Sequence, residues 1–169
     1  HLGLSIKDFA RKILRLNEAQ IPLYLTRFYH LFELEEQKQD ILYEDALEVL
    51  NYFKQQQYSL VIATNRIRRR LDAALKLTHL ENFFDYTVTA DEALDKPNPL
   101  MLEKIMTALQ CKKEDLLMVG DSVYDADFAE NGAISCIIID RHVYDPALFT
   151  KYANLQLLPN LKAMLNVVQ

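Results

Sequence analysis

From Tyr58 onward the chain repeats one unit: a short apolar run, a polar turn, then an amphipathic stretch of helical period. Nothing else in the sequence restricts the fold as much. Strands that read as continuous apolar runs are buried on both faces, and a parallel sheet covered by helices is the arrangement that buries both. The expected strands are residues 60–63, 86–89, 116–119 and 134–139. The expected intervening helices are 67–77, 97–109 and 124–131, with a C-terminal helix over 159–168. The fold class is therefore α/β, a Rossmann-like parallel sheet.

The first forty residues have a different texture. Ser5 with Asp8 makes a capping-box-like start, and Ile6, Phe9, Ile13 and Leu16 recur at helical spacing. A second helix is expected from Pro22, with Leu25, Phe28, Tyr29 and Phe32 on one side, and a third over 43–57 with Ala46, Leu50 and Phe53 inward.

Half of the 169 residues are hydrophobic, enough to bury one continuous core, with or without a small appendage. The net charge of −5 argues against nucleic acid, which needs a basic face, and favours a small-molecule partner. Cys111 and Cys136 have no metal-ligand spacing and read as reduced thiols of a cytoplasmic protein. No apolar stretch approaches the ~18 residues of a membrane span. Glycine is scarce. Ordinary usage near ~7% would give about a dozen, yet there are 3, two of which flank a run of aspartates: Gly120 and Gly132. Asn131 and Gly132 read as a helix stop, with Gly132 taking the left-handed conformation. Gly120 reads as the sharp turn that brings Asp121 to the sheet rim.

Ligands of open α/β sheets bind beyond the carboxyl ends of the strands. The residues there are Thr64 and Asn65, then Lys96, then Asp121, Ser122 and Asp125. A hydroxyl, an ammonium and two carboxylates on one edge suit phosphoryl transfer. Thr64 and Asn65 would hold phosphate oxygens, Lys96 would neutralise charge, and Asp121 and Asp125 would hold Mg²⁺, a hard cation that prefers oxygen. Taken singly, each has a plainer role as a helix cap or an exposed amine; their succession on consecutive strand ends favours the site. Arg66, Arg68, Arg69 and Arg70 read mainly as a solvated helix face. His30 and His142 read as structural or exposed.

The segments LVIATN, DKPNP and VGDSVYDADFAENGA resemble the second, third and fourth motifs of the haloacid dehalogenase-like (HAD) hydrolase superfamily. The resemblance runs from about Asp45 to Arg141 and points to the phosphatase branch that includes the phosphoglycolate phosphatases. It implies that Thr64 binds the transferring phosphoryl group, that Lys96 bridges it to the nucleophile, and that Asp121 and Asp125 hold Mg²⁺ directly or through water. It implies a small phosphorylated metabolite as substrate and an aspartyl-phosphate intermediate. Residues 1–43 then resemble part of a helical cap, and 44–169 an HAD-like α/β core lacking its first strand.

The family's first motif, an apolar strand followed by Asp-x-Asp, is not found. Asp125 and Asp127 lie at a helix start inside the fourth motif, and Asp140 is followed by His142 where a second acid belongs. In the resembled fold the missing strand is the sheet's centre, so its loss should open a slot roughly 10 Å wide, two strand spacings, between the strands beginning at Leu60 and Leu116. The chain is therefore expected to be the larger part of a phosphatase whose first ~60 residues are cleaved, disordered, omitted or supplied by a separate N-terminal fragment or second chain. By itself it should not turn over substrate. The alternatives are a catalytically dead phosphate- and metal-binding module and a phosphomutase of the same superfamily. A phosphoreceiver domain is disfavoured by the order Thr64, Lys96, Asp121.

Overall fold

The apolar runs become parallel strands in a computed structural model of the chain, which describes residues 6–36 and 42–168. Two compact units divide at Ile41 and Leu42.

The first unit holds helices α1 (Ile6–Lys12) and α2 (Ile21–Glu36). Asn17 starts the second helix: its Oδ1 accepts the N–H groups of Ala19 and Gln20, while Gln20 Oε1 accepts the N–H of Asn17. This reciprocal cap satisfies donors that a helix start leaves unpaired. Ala10 and Ile21 are buried, and Leu25, Phe28 and Tyr29 are half-buried, matching the periodicity expected of α2; α1 ends at Lys12, so Ile13 and Leu16, expected on its face, lie beyond it, and Ile13 is exposed. The expected caps and contacts of Ser5 and of the Phe32 side chain lie outside the described residues.

The second unit runs α3 (Ala46–Gln55), β1 (Val61–Thr64), α4 (Arg68–Thr78), β2 (Tyr86–Thr89), α5 (Leu100–Leu109), β3 (Leu117–Gly120), α6 (Val123–Gly132), β4 (Ser135–Ile139) and β5 (Leu155–Leu158). Every pairing is parallel. Val61 lies opposite Tyr86, Leu117 opposite Ser135, and Cys136 opposite Leu155. β4 shows why its run is apolar throughout: Cys136 and Ile138 pack with α5 and α6 through Met101, Ile105 and Phe128, whereas Ile137 and Ile139 pack with α3 through Val49 and Phe53. Period-two alternation serves two cores at once.

The strands do not form one sheet. β1 pairs with β2, and β3 with β4 and β5, but β1 and β3 do not pair. Between them lies a trough of about 740 Å³ whose walls include the consecutive residues Leu60, Val61, Ile62 and Ala63 on one side and Leu116, Leu117, Met118 and Val119 on the other. Consecutive strand residues point to alternate faces, so a wall containing them all is a strand edge. Val49 and Phe53 of α3 line it from one side and Leu102 and Ile105 of α5 from the other. Protein interiors are close-packed, and even an engineered cavity of about 150 Å³ is large.

Several expectations are corrected. β1, β3 and β4 begin one residue later than their apolar runs, and α5 begins at Leu100 instead of Pro97. β5 was not expected. The C-terminal helix is a 3₁₀ run, Leu161–Asn166, capped by Asn160 Oδ1 accepting from Ala163 N at 2.9 Å. Three residues per turn stack Leu161 and Met164 on one side, and both face the trough. Gly132 is not the left-handed residue; Ala133 is, at φ 52°. Gly132 is needed because a Cβ there would collide with the Leu102 side chain. Among the described residues no helix is long and apolar enough to cross a membrane.

Candidate active site

The carboxyl ends of β1, β3 and β4 meet at a pocket of about 320 Å³ lined by Ala63, Lys96, Gly120, Asp121, Asp125, Arg141 and Tyr43, among others. The loop after β2 carries Lys96, and Asn65 at the tip of β1 pins it. Asn65 Oδ1 accepts the Lys96 N–H at 2.7 Å and its Nδ2 donates to the Lys96 carbonyl at 3.2 Å. The Lys96–Pro97 peptide is cis, and Asn131 Nδ2 donates to the Pro97 carbonyl.

Lys96 Nζ donates to Asp125 Oδ1 at 2.6 Å, with the two side chains only 11% and 8% exposed. Asp125 Oδ2 accepts from the backbone N–H groups of Asp121 and Ser122 and from the Ser122 hydroxyl. Ser122 caps α6 and completes a capping box with Asp125. Gly120 has its reason here: a Cβ would run into Cβ and Cγ of Asp125, so glycine lets that carboxylate fold back over the strand end. This corrects the expectation that Gly120 serves a sharp turn.

The two acids differ electrostatically. Burial pushes the Asp125 pKa up, but the Lys96 charge and hydrogen bonds from Lys96 and Ser122 outweigh it, leaving the group below the usual carboxylate range. Asp121 stands at the exposed rim of β3. Partial desolvation of its carboxyl, then the neighbouring Asp125 charge, push its pKa up against the opposing pull of Arg141 and Lys96.

Lys96, Asp121 and Asp125 are thus brought together as expected. Thr64 is not in the pocket wall; it follows Ala63, which is, and its Oγ1 accepts the Arg66 N–H at 3.1 Å. For Asn65 the expected role is corrected, because its carboxamide is engaged with the Lys96 backbone and so positions the lysine. The arginine run is not all solvated. Arg68 Nη2 meets Glu92 Oε2 at 2.7 Å and its Nη1 donates to Thr87 Oγ1 at 2.8 Å, because the loop after β2 adds an acid to the one, Asp72, that α4 carries. Arg70 is buried. His30 and His142 are exposed, as expected.

Tyr43 escaped the sequence reading as a site residue, and Arg141 reads from sequence only as part of the rim after the fourth motif, beside Asp140. The Arg141 guanidinium lies 3.5 Å from the Tyr43 ring centroid, and the only advance signal was the position of Arg141 just past an apolar strand.

The pocket's oxygen donors have the chemistry for a hard cation, and such a charge would offset both the desolvation and the Asp125 repulsion that raise Asp121. Asp121 is the acid available for direct ligation, since both oxygens of Asp125 already accept protein hydrogen bonds. Among the described residues no three His, Cys, Asp or Glu side chains cluster as a ready-made metal site.

A parallel α/β unit with titratable groups gathered outside its strand tips belongs to the Rossmann-like class, with its ligand position at that rim. Within it, residues 1–139 match the family model for haloacid dehalogenase-like hydrolases, and the chain belongs to that family. It is 38% identical over 98 residues to a protein of Halalkalibacterium halodurans named pyrophosphatase PpaX, covering 57% of this chain and 46% of that one. It is 33% identical over 136 residues to the PpaX of Bacillus thuringiensis, covering 77% and 59%. The chain thus spans about half the length of these curated relatives. Among solved structures, a Bacteroides fragilis protein assigned to the haloacid dehalogenase-like hydrolases superposes with a TM-score of 0.86 at 20% identity, covering 96% of this chain and 79% of that one.

Proposed function

We propose that this chain is the larger part of a phosphatase acting on small phosphate monoesters through an aspartyl-phosphate intermediate. Lys96 binds the phosphoryl oxygens, with Asn65 holding it in place, and Thr64, whose hydroxyl oxygen accepts from the Arg66 N–H, adds a donor from the tip of β1 just outside the pocket wall. Asp121 and Asp125 would hold Mg²⁺, which would supply charge neutralisation at the phosphoryl group. The nucleophilic aspartate enters on a strand seated between β1 and β3.

One observation carries this reading: the Lys96, Asp121 and Asp125 pocket lies at the end of a trough whose two walls are strand edges of the same direction. A strand seated there would pair on both sides and present its last residue to Lys96. Residues 44–169 are the α/β core, and residues 1–43 belong to a helical cap. Two relatives are named pyrophosphatases, which makes inorganic pyrophosphate a natural second substrate to try.

The test is turnover of a generic aryl phosphate with Mg²⁺, with and without a synthetic peptide of four or so apolar residues ending in Asp-x-Asp. Activity should require the peptide and disappear when its first aspartate becomes Asn or when Asp121→Asn is made in the chain. Equal turnover by the chain without any peptide, or by a peptide complex carrying Asp121→Asn, would sink the assignment. Stoichiometric peptide binding with no turnover would favour a phosphate-binding module instead.

A further inference from the structure

Arg141 is the one pocket group that the proposed phosphoryl chemistry leaves without a task. It follows β4 by two residues and sits just outside the stretch matched by the family model. Its guanidinium is centred 3.5 Å from the Tyr43 ring and lines the same pocket as Lys96, Asp121 and Asp125. Its Nε is shielded from solvent without a hydrogen-bond partner, and among the described residues Arg141 makes no ion pair. Arg68 is the contrast, its donors engaged by Glu92, Asp72 and Thr87.

The charges around the pocket make the point sharper. Lys96 is paired with Asp125 at 2.6 Å, so Arg141, which feels Asp121 only at longer range, is the cavity's cation without a direct ion pair among the described residues. Guanidinium is planar, permanently charged and forked, and it matches the paired oxygens of a carboxylate or phosphate better than an ammonium does. Stacking on an aromatic face holds that fork in one plane before a ligand arrives. Tyr43 is 52% exposed, which puts the stack at the mouth of the pocket, away from its floor.

We propose that Arg141, held on the ring of Tyr43, forms a second anion subsite that selects substrates carrying a further anionic group, carboxylate or phosphate, beside the phosphoryl group bound near Lys96. The proposal rests on the pocket being a phosphoryl site and names the class of substrate it takes.

The experiment is titration calorimetry on the full chain with Mg²⁺, using two ligands that cannot be hydrolysed: methylphosphonate, with one anionic group, and phosphonoacetate, with two. Phosphonoacetate should bind roughly tenfold more tightly, the scale of one charge-assisted contact. Arg141→Gln should erase that preference and leave methylphosphonate binding unchanged. Arg141→Lys should keep only part of it, and Tyr43→Phe should keep it whole. Circular dichroism spectra matching the parent check that each variant folds. Methylphosphonate binding with no preference for the second ligand overturns the subsite and leaves the phosphoryl site standing. Arg141→Gln weakening both ligands alike also overturns it, since Arg141 would then belong to the primary site. Binding of neither ligand overturns both readings together.

Discussion

Replacing Asp125 with Asn tests the electrostatic heart of the pocket, because it removes one charge while nearly preserving shape. Asp125 accepts hydrogen bonds from Lys96 Nζ, the N–H groups of Asp121 and Ser122, and the Ser122 hydroxyl, and its side chain is 8% exposed. Without its charge, Lys96 becomes a buried ammonium with no counterion. Breaking a buried pair from one side costs about 3–5 kcal/mol, a large part of the roughly 5–15 kcal/mol that holds a domain folded. Asp121→Asn is the control. Its carboxyl stands at the rim beside a like charge, so its loss should change stability by no more than about 0.5 kcal/mol. The double change Lys96→Met with Asp125→Asn should recover much of the single-mutant loss, because no buried ammonium remains while the carboxamide oxygen still accepts from Asp121 and Ser122. Urea unfolding followed by far-ultraviolet circular dichroism reads these differences, provided the slope of stability against urea stays constant. Asp125→Asn costing under about 1 kcal/mol at constant slope would show that the pair is solvated and that this account of Lys96 is wrong.

Three further outcomes follow from single sites. Ala133 closes α6 in the left-handed conformation, so Ala133→Gly should stabilise the chain by about 1 kcal/mol in the same urea experiment. Burial pushes the Cys136 thiol up to about 12, whereas Cys111 is half-exposed; a thiol alkylator at neutral pH should label Cys111 and reach Cys136 only on unfolding, as intact mass would report. Asp85 accepts from Lys54 Nζ and from the Leu60 N–H, each at 2.8 Å, and these bonds, the Lys54 one first, hold its pKa below the usual range. A depressed folded-state pKa means this contribution is complete above the ordinary value of 3.8 and is lost as pH falls through the folded-state value. Urea midpoints between about pH 6 and about pH 3 should therefore fall less for Asp85→Asn than for the parent chain.

How far the sequence disclosed this molecule depended on the range over which each signal acts. β2 was placed at its observed bounds because Tyr86–Thr89 is a self-contained run of aromatic and β-branched residues, whereas β1 and β3 were shifted by one residue and β4 began one residue late. β5 was missed because Leu-Gln-Leu-Leu is too short to show a period, and it is a strand only because β4 offers it an edge. Gly132 was given the left-handed cap that Ala133 takes, because the Leu102 side chain that presses on Gly132 comes from another helix. The site followed the same rule. Lys96, Asp121 and Asp125 were legible from their places after strands, but the direct Lys96–Asp125 bond, the clamping role of Asn65 and the stacking of Arg141 on Tyr43 join positions distant in sequence. No local pattern encodes such distances. The slot between β1 and β3 was foreseen from the resemblance, and its apolar flanks became visible only once α3 and α5 were in place.

Two open strand edges also govern how such a chain behaves in a crowded solution. Val61-Ile62-Ala63 and Leu117-Met118-Val119 carry neither the lysines nor the prolines with which natural sheets keep neighbours off their borders. At high concentration each border is a template for the same stretch of another molecule, so clumping should rise with protein concentration before any loss of helix. Whatever occupies the trough therefore acts as a chaperone too, keeping these molecules apart.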